Sequence, residues 1–242
     1  MFSFIWHTFF FDPVYNGLIL FIEAVPGGDV GVAIILTTIA IKLVLLPLSI
    51  KAAKTQKIMR EIEPKLREIK EKFKDQREEQ AREMMAVYKE AGMNPFSALF
   101  VFILQIPLII ALYLSVYGYS GYALPEVNTE ALYAFMSVPQ EISMLFLGFV
   151  DMAGRSATLA ALAGITMYWQ MQMVMPSLPK KDPDAAPDFK ADFTRNMQLQ
   201  MKYVMPIIIV VVAYVISAAI ALYFVVSNIF AILQELYIRR HR

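Results

Sequence analysis

The apolar residues of this chain fall in long blocks separated by charged or proline-rich stretches. Gly31 to Ile50 runs for 20 residues with a single charge, Lys42. Phe96 to Gly118 runs for 23 residues without a charge, and Ser156 to Met175 for 20. A fourth block, Tyr203 to Ile238, is 36 residues long and holds one acid, Glu235. An α-helix rises about 1.5 Å per residue, so about 20 residues cross a hydrocarbon core about 30 Å thick. The fourth block, at ~54 Å, is too long for one crossing, and the pattern predicts a helical hairpin split near Ser217-Ala218-Ala219. Five spans follow: 31–50, 96–118, 156–175, 203–217 and 219–238. One further apolar stretch, 9–25, is interrupted by Asp12-Pro13 and closed by Pro26-Gly27-Gly28. Asp12 is expected as an N-cap, Pro13 as a first-turn proline, and Val14 to Ala24 as an extracytoplasmic amphipathic helix on the membrane surface. A sixth span is the alternative there.

The basic residues set the orientation. Lys51 to Pro95 holds twelve Lys/Arg, Pro176 to Lys202 holds five, and the tail holds Arg239, Arg240 and Arg242. The first 30 residues hold none, and Tyr119 to Arg155 holds only Arg155 beside four acids. Positively charged loops stay in the cytoplasm, which predicts an outside N-terminus, a cytoplasmic C-terminus and an extracytoplasmic segment over 119–155. Five spans satisfy every loop together.

Two stretches remain in water. Residues 51–93 carry an apolar seam at Ile62, Leu66, Ile69 and Phe73, spaced 4, 3 and 4, as on one helical face. After Lys74-Asp75-Gln76 a second helical pattern carries Ala81, Met84, Met85 and Tyr88, and Gly92 with Asn94-Pro95 stops it. The prediction is a cytoplasmic antiparallel helical hairpin, its first arm bent at Pro64. Such a hairpin is either merely structural or a docking surface. The loop 176–202 opens with four prolines among alternating charges, Pro176 to Asp188, which marks a loop without a domain of its own.

Composition then narrows the chemistry. Of 242 residues, 58% are hydrophobic and 18% charged, against about 45–50% and 25% in soluble domains. Lys plus Arg number 22 and Asp plus Glu 21, so no charge excess points to nucleic acid. There is no cysteine and only His7 and His241, which excludes disulfides, thiolate metal sites and a histidine cluster. No phosphate loop, Ser/His/Asp constellation or HExxH is present, so no enzyme activity and no cofactor are expected. The absence of a basic signal n-region and of targeting sequence favours a bacterial plasma membrane over an organelle.

Lys42 is the informative residue. A charge at bilayer depth costs about 2.5–3.5 kcal/mol even on the lenient insertion scale. Snorkelling would explain it, but a lysine stem reaches roughly 6 Å and the midplane is about 15 Å from either surface. The alternative is a wet cavity within the bundle. Thr38, Lys42, Leu45 and Ser49 share one predicted helical face, Gln105 marks the second span, and Thr158, Thr166 and Gln170 the third. Tyr223, Ser227 and Gln234 follow at spacings of 4 and 7 in the last. Each Ser or Thr alone reads as interhelical glue; together they give several spans a polar stripe. A cation in such a cavity would bind something anionic. The expected fold is therefore an all-α membrane protein: five transmembrane helices around a hydrophilic groove, plus the hairpin.

Four stretches, in order and at matching spacing, resemble the YidC-type membrane protein insertases, the superfamily that includes the Oxa and Alb proteins. Ile39-Ala-Ile-Lys-Leu-Val-Leu-Leu-Pro-Leu-Ser-Ile-Lys51 is similar to the family's first span. Glu83-Met-Met-Ala-Val-Tyr-Lys-Glu-Ala-Gly-Met-Asn-Pro95 is similar to the end of its cytoplasmic hairpin, and Leu104-Gln-Ile-Pro-Leu-Ile-Ile-Ala-Leu-Tyr113 to its second span. Met201-Lys-Tyr-Val-Met-Pro206 and Ser227-Asn-Ile-Phe-Ala-Ile-Leu-Gln234 resemble its last hairpin. Lys42 stands where the family usually has arginine, keeping the charge without the bidentate fork. The usual Pro-x-Gly-Leu turn reads Ser-Ala-Ala-Ile, a common Tyr-Trp pair reads Tyr223-Phe224, and the large extracytoplasmic domain of Gram-negative members is absent.

The resemblance implies an insertase and chaperone for nascent membrane proteins, working without nucleotide hydrolysis, beside membrane lipids and with the ribosome and Sec translocon as further partners. It implies a substrate groove at Lys42, Thr38, Gln105, Tyr223 and Ser227. It also implies a client-receiving hairpin at Ile62, Leu66, Ile69, Phe73, Met84, Met85 and Tyr88. The competing class is a small anion transporter or channel built on Lys42, for which the paired repeats of many transporters are missing. A hairpin-bearing scaffold would leave Lys42 unexplained.

Overall fold

The computed structural model describes residues 2–92, 96–119, 121–174 and 196–240. The prolines and charges of the predicted loop up to residue 195, and the Asn94-Pro95 helix stop, lie outside the described residues. The chain forms two compact units, one from Met1–Leu43 with Leu108–Arg242, the other Val44–Pro107. Nearly all regular structure is helical: α1 (Phe2–Trp6), α2 (Asp12–Ala24), α3 (Val30–Val44), α4 (Leu46–Lys72), α5 (Arg77–Glu90), α6 (Phe96–Tyr117), α7 (Ala157–Val174), α8 (Met205–Ile216) and α9 (Ala218–Arg240). One small antiparallel ribbon, β1 (Leu145–Phe146) and β2 (Val150–Asp151), is the exception.

By length and composition, two helices among the described residues can cross a membrane, Asn196–Ile216 and Ala218–Arg240. Val30–Val44 with Leu46–Thr55 adds a third if counted as one broken span. The break lies at Leu45, where the sequence predicted an uninterrupted helix over 31–50. Pro47 is its cause: it has no N–H, and its ring crowds the carbonyl four residues back.

Proline also shapes two wide helical turns. His7–Phe11 and Gln200–Val204 are π-turns, each lying just before a proline, Pro13 and Pro206. In each, a backbone N–H reaches back five residues, Asp12 to His7 and Met205 to Gln200, which frees the carbonyl the proline ring would strike. Asp12 consequently has helical backbone angles (φ −62°, ψ −44°) and is no N-cap; the helical stretch begins at Phe2, not near Val14. Asp12 instead accepts a hydrogen bond from His7 Nδ1 at 2.9 Å.

In the first unit, Leu18, Ile19 and Ile22 of α2, Ala33 and Ile34 of α3, Ala111 and Leu112 of α6, and Ile220 of α9 are all buried. Helix α7 packs on both α8 and α9. Gly164 makes the α7–α8 approach possible, because a Cβ there would stand 2.2 Å from Val210 Cγ2. The break between α8 and α9 is Ser217, with extended angles (φ −176°, ψ 165°). Its hydroxyl accepts the Ile220 N–H at 3.2 Å, and the carbonyls of Gly154 and Met152 accept those of Ala218 and Ala219. The donors that open α9 are thus satisfied by protein.

The second unit contains α4 and α5, joined by Phe73–Gln76 and lying side by side. Ala52 and Leu66 of α4 and Val87 of α5 are the buried apolar residues of the two helices among the described residues. Gln80 Nε2 donates to the Lys70 carbonyl at 3.0 Å, and Lys65 Nζ pairs with Glu90 at 2.8 Å.

Candidate functional site

The polar residues of α3 are graded along its length. Its first half is buried through Thr37 and Thr38, whose hydroxyls donate back to the carbonyls of Ala33 (2.8 Å) and Ile34 (2.7 Å). Those hydroxyls are spent within the helix, which spares them a partner elsewhere. One turn later Lys42 lies half-buried in the last turn of α3, followed by exposed Leu43 and Val44. A cation in a last turn is favoured by the carbonyl end of the helix dipole.

On α9, Tyr223 and Ser227 are both buried and one turn apart. The Tyr223 hydroxyl makes no hydrogen bond of good geometry; Ser227 is its polar neighbour. Thr38, Lys42, Tyr223 and Ser227 all belong to the first unit, and Gln105, on α6, to the second. Two polar residues prove to be glue between helices. Asn228 Nδ2 donates to Ala163 O and to Thr166 Oγ1, both at 3.2 Å, tying α9 to α7. Thr166 was among the sequence candidates, whereas Asn228 was overlooked; a lone Asn in an apolar block was the available signal. Glu235 pairs with Arg239 at 2.8 Å, and Arg239 also donates to the Met173 carbonyl at the end of α7.

The α4–α5 pair carries a shallow cavity of about 290 Å³. Ile69, Phe73 and Val87 line it, with Lys65, Lys72 and Glu83 at its polar rim. Leu66 is buried, Ile62, Met84 and Tyr88 are half-buried, and Met85 is 56% exposed. Val87 takes the inward place that Met85 was expected to share, since it lies three residues after Met84 and seven after Gln80. The Lys65 ammonium, through its hydrogen bond, holds the Glu90 carboxyl below the usual carboxylate range. No group of three or more His, Asp or Glu among the described residues could hold a metal ion.

The family described as 60Kd inner membrane protein matches residues 21–242. The chain belongs to this family, the YidC-type proteins. It is 32% identical to the membrane protein insertase YidC of Oceanobacillus iheyensis, an alignment covering 98% of this chain and 84% of that one. It is 31% identical to the YidC of Syntrophobacter fumaroxidans over 98% of this chain, and 34% identical to that of Clostridium tetani over 62%. The matched regions span 39% and 60% of those two relatives' lengths. Within this YidC-family chain, the departure at the last turn has a local explanation. Ser217 supplies the hydroxyl that caps α9, and Ala218 and Ala219 are small enough to be fully enclosed beneath Met152 and Gly154.

Proposed function

We propose that this chain is a membrane protein insertase of a bacterial plasma membrane, with five spans, an outside N-terminus and a cytoplasmic C-terminus. The observation that carries the reading is family membership over residues 21–242, joined to a lysine in an otherwise uncharged apolar block. Lys42 with Thr38, Tyr223 and Ser227 lines a hydrophilic groove that accepts the polar translocated segment of a client. Lys42 attracts acidic residues of that segment, and the client's apolar segment leaves sideways into lipid. The groove acts by lowering a desolvation barrier: polar backbone moved into a wet, locally thin site avoids part of the cost of crossing hydrocarbon. No nucleotide hydrolysis or cofactor takes part.

The α4–α5 pair is the cytoplasmic hairpin that first receives nascent clients, through Ile62, Leu66, Ile69, Phe73, Met84, Met85 and Tyr88. The ribosome and the Sec translocon are its proposed neighbours at that stage. The test is rescue: a bacterium depleted of its own insertase should grow when this chain is supplied. A chain that inserts and accumulates in the membrane but restores neither growth nor client insertion would contradict the assignment.

A further inference from the structure

Residues 142–150 read Ile-Ser-Met-Leu-Phe-Leu-Gly-Phe-Val and carry no charge. They form the β1–β2 ribbon, with Phe146 opposite Val150 and the turn at 147–149. Leu147 (φ 52°) and Gly148 (φ 81°) are both left-handed, and the Phe149 N–H returns to the Phe146 carbonyl at 3.2 Å. Turns with two left-handed central residues favour Asn or Asp followed by Gly. A leucine is strained there, because its Cβ crowds the following carbonyl. It is also 61% exposed, and Phe149 beside it is 73% exposed. Were water its permanent neighbour, asparagine would serve better on both counts.

The ribbon is fixed to the ends of helices. Asp29 caps α3 by accepting the Val32 N–H at 3.0 Å, and its second oxygen accepts the Leu147 N–H at 2.8 Å. Phe146 lies over Gly31, where a Cβ would come within 2.3 Å of the ring. The carbonyls of Met152 and Gly154, just past β2, accept the first N–H groups of α9. Helix α9 is 23 residues long and apolar enough to cross a membrane. Its first turn then lies at one face of the bilayer, and so does the ribbon bonded to it. The charges nearest the tip are the Asp29 carboxylate, whose oxygens are taken up by the Val32 and Leu147 N–H groups, and Asp151, two residues and ~7 Å along the ribbon from Phe149. Leu147 and Phe149 carry the exposed apolar side chains of the turn, of the kind that enter lipid to about 5–10 Å at an interface.

We propose that the tip, Leu147 and Phe149, is a lipid anchor that enters the headgroup–acyl boundary of the extracytoplasmic leaflet. It pins the outer ends of α3 and α9 at a fixed depth. The proposal rests on α9 crossing the bilayer in the orientation proposed above and is independent of what the protein inserts. The chain has no cysteine, so a single Phe149→Cys substitution can carry an environment-sensitive fluorophore in the full chain. The labelled protein is reconstituted in vesicles of phosphatidylcholine and phosphatidylglycerol. Blue-shifted emission is expected, with quenching by a nitroxide at carbon 5 of the acyl chain at least two-fold stronger than at a Glu126→Cys control. Adding Leu147→Asn, which suits the left-handed turn, should leave the fold intact and raise iodide quenching at 149 at least two-fold. Emission and quenching at 149 equal to those of the control would overturn the anchor. So would a blue shift that nitroxide lipids do not quench and that grows with protein density, since a second copy would then be the occupant.

Discussion

The segment over α2 and the α4–α5 pair are each held to a helix, but by different means. Over α2, buried side chains reach backbone of residues more than a hundred positions away. Asn16 donates to Ala131 O at 2.9 Å and accepts the Tyr133 N–H at 2.7 Å, while the Tyr15 hydroxyl accepts the Asn128 N–H at 2.8 Å. Between α4 and α5 the contacts include Leu66, Val87, one glutamine and the exposed Lys65–Glu90 ion pair. Buried hydrogen bonds that lose a partner cost their full desolvation, whereas exposed ion pairs contribute little. The first region is built to keep one shape. The second is held by fewer buried groups, which would suit the proposed role of meeting clients of many sequences.

Breaking the first region should cost most. Asn16→Ala strands a carbonyl and an N–H in a partly enclosed site and should destabilise by ~3 kcal/mol. Hydrogen exchange should then quicken over 126–135 while α4 and α5 are unaffected. Leu66→Ala should cost less, about 2 kcal/mol, because a shallow two-helix seam collapses around the gap. It should speed exchange in both arms and leave the α2 segment protected; uniform loss of protection would merge the two regions into one cooperative block. Met85→Ala, at an exposed position, should change stability by no more than ~0.5 kcal/mol. It should still reduce client crosslinking to α5 if the pair receives clients.

The smallest effect is one of pH. The Glu90 carboxyl is held low by Lys65, so it is more acidic folded than unfolded. Its stabilisation is therefore present above the ordinary carboxylate range and is lost as pH falls through the lowered value. Arm-to-arm exchange protection near Glu90 should weaken in acid, and Glu90→Gln should remove that dependence. Persistence of the dependence in the variant would assign it to another carboxylate.

Family membership was legible because the residues that carry it sit in runs, such as 39–51 and 104–113, whose order survives without tertiary information. The break inside the fourth apolar block was legible from length alone: 36 residues exceed one crossing, and the helix stops at Ser217. The break at Leu45 was missed because the apolar run 31–50 reads as one helix when Pro47, whose ring acts four residues upstream, is not weighed. The ribbon at 145–151 left no signal, since two-residue strands are too short for a period and Leu147-Gly148 lacks the usual turn residues. Val87 and Asn228 were hidden for a common reason: each lies next to a more conspicuous residue, Tyr88 and Ser227. Sequence spacing of 3 or 4 allows either neighbour to face inward, and packing alone decides.

The charge of Lys42 is the central claim, and client charge tests it most directly. Two clients differing only in acidic residues of the translocated segment would be compared by protease protection, with wild type and with Lys42→Ala. The account predicts that Lys42→Ala impairs the acidic client most, that Lys42→Arg retains function, and that Lys42→Glu is worse than Ala because like charges repel strongly where the dielectric is low. Equal translocation of both clients by wild type and Lys42→Ala would contradict it.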